Sequence, residues 1–306
     1  MKKKLKWIMG VLLLLLFAGV AFGSASNGSK DKKEIATSDN VESGSKKENE
    51  ETASENNKTD LATIDEQVLI DNNGIKITAE EYITDSIWGD GIKLMIENNT
   101  DKDYTIGCDA LIVNDYMITD LFASEIAAGK SANETMYLYS SALQAAGIDS
   151  VGKVEMYFHA FDSNVDYLFQ NEYALIQTSE FENMDTTPND AGKELFNMDG
   201  IKIVGKTVDE NSFWGSAILL YIENTSGKNI GISVDDMSIN GFMMNPIFST
   251  SIYDGKKAIN DITILSSDLE DNGITSIDNV ELKFNIYDLK TFETIKNTDP
   301  ITFTAK

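Results

Sequence analysis

The segment Gly74-Ile75-Lys76-Ile77 returns as Gly200-Ile201-Lys202-Ile203, a shift of 126 positions (74 to 200). The same shift carries Ser86, Trp88 and Gly89 onto Ser212, Trp214 and Gly215, and Ile96-Glu97-Asn98 onto Ile222-Glu223-Asn224. It carries Asn114 and Met117 onto Asn240 and Met243, and Gly129-Lys130 onto Gly255-Lys256. Gly147-Ile148 and Val154-Glu155 fall on Gly273-Ile274 and Val280-Glu281. Chance does not hold one register over that length, so one unit is written twice. Solenoid repeats run to ~20–50 residues, so this period is a domain and not a solenoid. Each copy has the size of a single-core domain. The expected units are residues 63–182 and 190–306. The joint between them, Asp185-Thr186-Thr187-Pro188-Asn189-Asp190, is rich in turn formers and short enough to allow some contact between the copies.

The pattern inside each copy is that of β-structure. Ile92, Leu94 and Ile96 alternate with Lys93, Met95 and Glu97, and Ile218, Leu220 and Ile222 repeat the arrangement. Such period-2 alternation marks a half-buried strand. Val154, Met156, Phe158 and Ala160 form a second apolar face, matched by Val280, Leu282, Phe284 and Ile286. Asn114-Asp115 and Asn240-Gly241 sit between apolar runs and read as hairpin turns. One short helix is expected per copy. Ser141 with Gln144 and Ser267 with Glu270 have the spacing of capping boxes, and Gly147 and Gly273 would end the turns. With about seven or eight strands per copy, the fold class expected is all-β: two tandem immunoglobulin-like β-sandwich domains, each with one short helix. The Cys–Trp–Cys hallmark of true immunoglobulin domains is absent, so the expectation concerns architecture alone.

What precedes the repeat reads as an address and a spacer. Lys2, Lys3, Lys4 and Lys6 lead into an apolar run over residues 7–22, followed by small residues at 21–25. This is the layout of a secretory signal over residues 1–23. The run falls short of the ~20 residues that span a bilayer comfortably. A cleaved signal is the first expectation and an uncleaved N-terminal anchor the second. The single cysteine is Cys108, so no lipid-modified Cys can follow the signal, and the protein is not expected to be a lipoprotein. Residues 24–62 are almost wholly polar and should form a disordered linker, with a span of about 30–35 Å. Location outside the cell or at its surface follows.

The stretches NGIKI, SIWG, IKLMIENNTDKD, VNDYM, AAGKSAN, SSAL, GID and VEMYFHAFD, and in the second copy IENTSGKN and INGFMM, carry a resemblance. They resemble the uncharacterised immunoglobulin-like modules of secreted and surface proteins, often lipoproteins, from Gram-positive anaerobes. The resemblance covers about residues 67–306 and departs at the missing lipid-attachment Cys. It implies the fold and the location, and it supplies no catalytic or ligand residues.

Composition narrows the chemistry. The formal net charge is -25, and all 25 cations are lysines. Residues 1–60 hold ten Lys and nine acids, so the acidity belongs to the repeat. Such a surface repels nucleic acid, anionic lipid and anionic wall polymers, and attracts cationic proteins or divalent ions. No arginine is present to clamp a phosphate or carboxylate, and one His with one Cys cannot build a zinc site. No catalytic residue, cofactor or metal ligand is assigned. His159 falls on the outer face of its strand and reads as a surface imidazole without a partner. Cys108 corresponds to Val234 and reads as a buried thiol. A specific calcium site is not expected, since no D-x-D-x-D-G loop is present; Asp235-Asp236 reads as a solvated face and 268–271 as the first turn of a helix. The sequons at Asn98, Asn133 and Asn224 are weak signals.

The candidate binding residues are Ile87 and Trp88 in one copy and Phe213 and Trp214 in the other. Each pair puts two large apolar side chains into a polar connection before a core strand. The bland reading, which we expect, is a Trp that plugs one end of the sandwich. The alternative is an exposed aromatic tip that grips a partner. The function expected is a non-enzymatic binding or adhesion module whose partner is a protein or wall glycan. Membrane contact is expected only through the N-terminal segment. An exported hydrolase using two facing carboxylates, or a ligand-free spacer, are the alternatives.

Overall fold

The computed structural model describes residues 32–34, 62–85, 88–118 and 121–305. The signal segment, most of the linker and Ile87 lie outside the described residues. Among the described residues no helix is long and apolar enough to cross a membrane.

The chain is nearly all β, and its elements recur at the shift read from the sequence. In the first copy, β2 (Gln67–Asn72), β3 (Ile75–Asp85), β4 (Gly89–Asn98) and β8 (Lys130–Tyr137) form one sheet in that order. Facing it are β5 (Tyr104–Val113), β9 (Lys153–Phe161) and β10 (Tyr167–Gln177), with β6 (Tyr116–Ile118) and β7 (Ala123–Ile126) added to β5. The second copy repeats the first layer as β11 (Lys193–Met198), β12 (Ile201–Ser212), β13 (Gly215–Asn224) and β17 (Lys256–Leu265). Its other layer holds β14 (Ile230–Ile239), β18 (Asn279–Asp288), β19 (Thr294–Asn297) and β20 (Ile301–Thr304), with β15 (Phe242–Met243) and β16 (Ser249–Ile252) on β14. Nine strands in one copy and ten in the other exceed the seven or eight expected, because short hairpin arms count separately.

Each copy holds its own core between its two layers. In the first, Ile92, Leu94 and Ile96 meet Val154, Met156, Phe158 and Ala160, all fully buried. In the second, Ile218, Leu220 and Ile222 meet Val280, Leu282, Phe284 and Ile286. Asn114 and Asp115 both take positive φ, as do Asn240 and Gly241, the backbone that tight hairpins require.

The repeated Ile-Glu-Asn segment is explained by its asparagine. Asn98 is fully buried at the end of β4 and donates to the carbonyls of Lys102 at 2.8 Å and Ile126 at 2.9 Å. Its Oδ1 accepts from the Thr100 N–H at 3.0 Å and the Thr100 hydroxyl at 2.7 Å. Asn224 does the same with Lys228, Ile252 and Ser226. These two sequons are therefore structural knots.

The helices are α1 (Ser140–Ala146) and α2 (Ser266–Asp271). The expected capping boxes are not formed. The N-cap positions are Tyr139 and Leu265, neither with a side-chain cap, so Ser141 and Ser267 sit two positions too far inside. Gly147 and Gly273 take positive φ and close the helices as expected, with Ile148 and Ile274 N–H groups returning to the Leu143 and Leu269 carbonyls.

Two features go beyond the sequence reading. Three linker residues form β1 (Lys32–Glu34), antiparallel on the edge of β12, with Lys32 in register opposite Asp209. β12 runs on past its pairing with β11 and leaves that edge open, and an open edge recruits any strand within reach. The second feature is the joint between the copies. β6 pairs in parallel with β17, Tyr116 opposite Lys257 and Met117 opposite Ala258. The back layer of the first copy and the front layer of the second thereby become one ten-stranded sheet.

That junction is densely made. Tyr116 packs with Ala146, Val204, Tyr221 and Ile259 in a small third core, and its ring lies edge-on to Tyr221 at 6.5 Å. Met117 reaches the second core, and its sulfur accepts from the Tyr253 N–H at 3.0 Å. Lys256 donates to both Glu155 carboxylate oxygens, at 2.7 and 2.8 Å, and to Asp115 at 3.0 Å. The joint segment is fastened from both sides. The Asn189 N–H donates to the Tyr116 hydroxyl, and Lys206 donates to the Asn189 carbonyl.

Burial pulls the Lys256 pKa down, but its bonds to Glu155 and Asp115 outweigh this and hold it above 10.5. For Asp115, burial raises the pKa, and the bonds from Lys153 and Lys256 more than offset it, leaving it below 3.8. The Asp115 contribution is therefore complete above pH 3.8 and is lost as pH falls through its depressed folded value. The Lys256 contribution is complete below pH 10.5 and is lost as pH rises through its raised folded value. Thermal unfolding at stepped pH should show a shallower acid limb in Asp115→Asn than in the parent; identical limbs would refute this role.

Candidate functional site

The turns that carry the candidate aromatics connect β3 to β4 and β12 to β13, at the same end of each copy as α1 and α2. The expectation of a plug is not met. Trp88 is 53% exposed, Phe213 74% and Trp214 57%. The helix already closes that end. Leu143 of α1 is buried, and the Trp214 carbonyl accepts from the Ser266 N–H at 3.1 Å. The backbone of the turn is pressed against the start of the helix. Gly89 has φ +84°, and a Cβ there would lie 2.9 Å from that of Ser140. In the first copy the slot is filled and the main chain lies against the helix, so the Trp88 indole turns outward; in the second copy Leu269 of α2 is only half-buried, and the Trp214 indole stands outward all the same.

The two turns are built differently. In the first copy Asp90 fastens the strand ends: it accepts from the Tyr82 hydroxyl at 2.5 Å and the Thr84 hydroxyl at 2.7 Å. Burial first, and then the Asp90 carboxylate, hold the Tyr82 hydroxyl protonated far above the ordinary tyrosine range. Trp88 rests against Tyr137, ring centroids 6.1 Å apart. In the second copy Phe213 and Trp214 stand edge to face at 4.8 Å and form a two-ring prow. Beside it lies a shallow open concavity of about 190 Å³ lined by Glu210, Ser216, Ser266, Leu269, Glu270 and Ile277. This is smaller than the ~300–1,000 Å³ of a typical small-molecule pocket. Glu210 is not free in it, since its carboxylate accepts from the Ile277 N–H at 2.7 Å. Exposed rings beside carboxylates can stack on an apolar or sugar face and attract a cationic rim.

His159 is on the outer face of β9, as read from the alternation, but it has partners. Its Nδ1 lies 2.7 Å from the Asp109 carboxylate, and its ring stacks on Phe161 at 5.6 Å. It belongs to an aromatic strip that sequence reasoning missed. Tyr157 packs on Tyr173 at 5.2 Å and on Tyr253 of the second copy at 5.0 Å, and Tyr167 closes on His159 and Phe161. The signal was present in the alternate positions 157, 159 and 161, the side of the strand left out when its buried face was read. Burial pushes the Tyr253 hydroxyl up to about 12, with Asp109 and Tyr157 adding to the shift. Cys108 is half-buried against the core and not fully buried as read from the sequence, and its Sγ donates to the Ala110 carbonyl at 3.0 Å. Among the described residues no cluster of three or more His, Cys, Asp or Glu is placed to hold a metal ion.

No protein-family model matches the chain, and no curated protein matches it. Several solved structures offer distant likenesses. One is the Salmonella enterica SafA pilin in complex with the SafB chaperone, at 9% identity, covering 70% of this chain and 88% of that one with a TM-score of 0.19. Another is the exo-chitosanase CsxA of Amycolatopsis orientalis, at 11% identity and TM-score 0.23, covering 67% of this chain and a quarter (25%) of that enzyme. A third is a protein of unknown function from Porphyromonas gingivalis W83, at 9% identity and TM-score 0.18, covering 78% of this chain and 94% of that one. At such scores the likenesses carry no argument about activity.

Proposed function

We propose that this protein is a non-enzymatic binding module of the cell exterior, built from two tandem immunoglobulin-like sandwich domains. Its contact points are the aromatic turns at Trp88 and at Phe213–Trp214. The observation that carries the reading is that the same turn in both copies places large apolar rings in solvent although each copy has a complete core beneath it. Trp side chains offer large contact area at low cost in conformational entropy, and Trp is enriched among residues that dominate interfaces. The apolar N-terminal run and the polar segment after it support display beyond the membrane. The acidity of the repeat turns the module away from anionic polymers, towards a neutral glycan or a protein.

The test is binding of the full chain to wall glycan and to surface proteins, compared with Trp88→Ala, Trp214→Ala and the double variant. Loss of a hot-spot aromatic costs about 2 kcal/mol, so each single variant should bind roughly 30-fold more weakly with unchanged unfolding. Binding through the rings should also hold as salt is raised, whereas a charge-driven contact weakens. Equal affinity in parent and double variant would refute the assignment.

A further inference from the structure

Each side of the copy-to-copy junction exists twice in the chain, and among the described residues only one of each is used. The donor side is the β6 hairpin tip, with Asp115, Tyr116, Met117 and Glu155. Its equivalents at the shift of 126 are Gly241, Phe242, Met243 and Glu281. Tyr116 is 4% exposed under the second copy, whereas Phe242 is 48% and Met243 65% exposed on β15. The acceptor side is the outer edge of β17, with Lys256. Its equivalent is the outer edge of β8, with Lys130, and among the described residues β8 pairs with β4 alone. The chain therefore ends, at one extreme, in an apolar tip of the kind that docks, and at the other in a strand edge of the kind that receives it.

We infer that the protein associates head to tail with a second copy of itself, the Phe242–Met243 tip of one molecule taking the β8 edge of the next. The elements that would make the contact are retained: an aromatic and a Met at the tip, and the Lys–Glu pair as Lys130 with Glu281. The flanks have changed together. Ala145 and Ala146 on the donor side are replaced by Asp271 and Asn272, while Val204, Leu219 and Ile259 on the acceptor side are replaced by Thr78, Lys93 and Asn133. Lys93 is already paired with Glu81 of its own sheet at 2.6 Å, so the charge pair offered across the contact is Lys130 with Glu281. Lys93 and Asn133 are exposed polar flanks where the internal ones are apolar, and Thr78 is already buried within its own copy, so the contact between molecules is the weaker, reversible version of the internal one. Because donor and acceptor are different surfaces, the association is heterologous and runs on to chains or rings and not to a closed pair. The inference is independent of the role of the Trp turns.

The experiment is sedimentation of the full chain over a wide concentration range. The weight-average mass should rise with concentration. Met243→Lys, an exposed change, should weaken association at least tenfold, and so should Lys130→Glu. Combining Lys130→Glu with Glu281→Lys should restore it. A mass that stays at the single-chain value throughout overturns the proposal. So does a rise that is the same in parent and Met243→Lys, which would place the contact elsewhere, or a charge-swapped double variant as weak as Lys130→Glu alone.

Discussion

Lys256→Met should destabilise the protein by about 3–5 kcal/mol, the cost of breaking a buried ion pair by removing one partner. The lysine side chain is 14% exposed and that of Glu155 is 7%. Methionine keeps the stem and its packing but removes the charge that two carboxylates of the first copy share with the second. Lys153 remains near both acids, at 2.8 Å from Asp115 and 3.3 Å from Glu155, and compensates in part. The repeat provides its own control, since Lys130 holds the same position in the first copy and is exposed. Lys130→Met should change stability by no more than about 0.5 kcal/mol, as surface substitutions do. Denaturant unfolding of both variants measures the difference. The parent should unfold in one transition because its copies share a sheet, and Lys256→Met should separate that transition into two. A loss below 1 kcal/mol in Lys256→Met would mean that the pairing of β6 with β17 carries the junction without the charges.

Asn98→Ala and Asn224→Ala should each cost about 3 kcal/mol, since each strands several buried polar groups at once. In the first copy the Lys102 and Ile126 carbonyls lose their donor, and the Thr100 N–H and hydroxyl lose their acceptor. Aspartate would not rescue, because it accepts but does not donate at neutral pH. A loss of that size lowers the melting temperature of a body this large by roughly 6–12 °C. Asn133, which also heads a sequon, lies exposed on β8, and its replacement by Ala should leave stability within about 0.5 kcal/mol. Calorimetry of the three variants distinguishes knot from ornament. Equal melting temperatures would show that the loops after β4 and β13 hold without their asparagines.

The cores were open to reading because burial in a two-layer β fold follows a period of two. Ile92, Leu94 and Ile96 lie where alternation puts them, and so do their partners at 218, 220 and 222. The junction escaped for the same reason. Tyr221 stands on the outer side of β13, where its equivalent in the first copy is Met95, and alternation alone assigns that side to solvent. Comparing the copies position by position exposes it: Val204 against Thr78, Leu219 against Lys93 and Ile259 against Asn133 all make the second copy more apolar on one face. A difference between repeats marks what each copy touches, just as their identities mark what each copy is made of. The Trp turns were found by composition, but their exposure was misjudged. A sequence shows which residues are large, not that in the first copy Leu143, 55 residues after Trp88 (143 − 88), has already filled the opening. The aromatic strip around His159 was missed because its rings come from three separate strands and loops, including Tyr253 of the other copy.

The ten-stranded sheet makes the order of the copies matter. A duplication on a slack linker is indifferent to sequence order: either half could come first and each would work as before. Here Tyr116 and Met117 fit against Val204, Tyr221 and Ile259, whereas the reverse arrangement would give only the weaker, polar-flanked contact of Phe242 and Met243 with the Met95 and Asn133 side. The two halves have thus become complementary parts, with a fixed first and a fixed second. Substitutions on the facing surfaces are judged together from then on, and the pair is inherited as one object with two unlike ends.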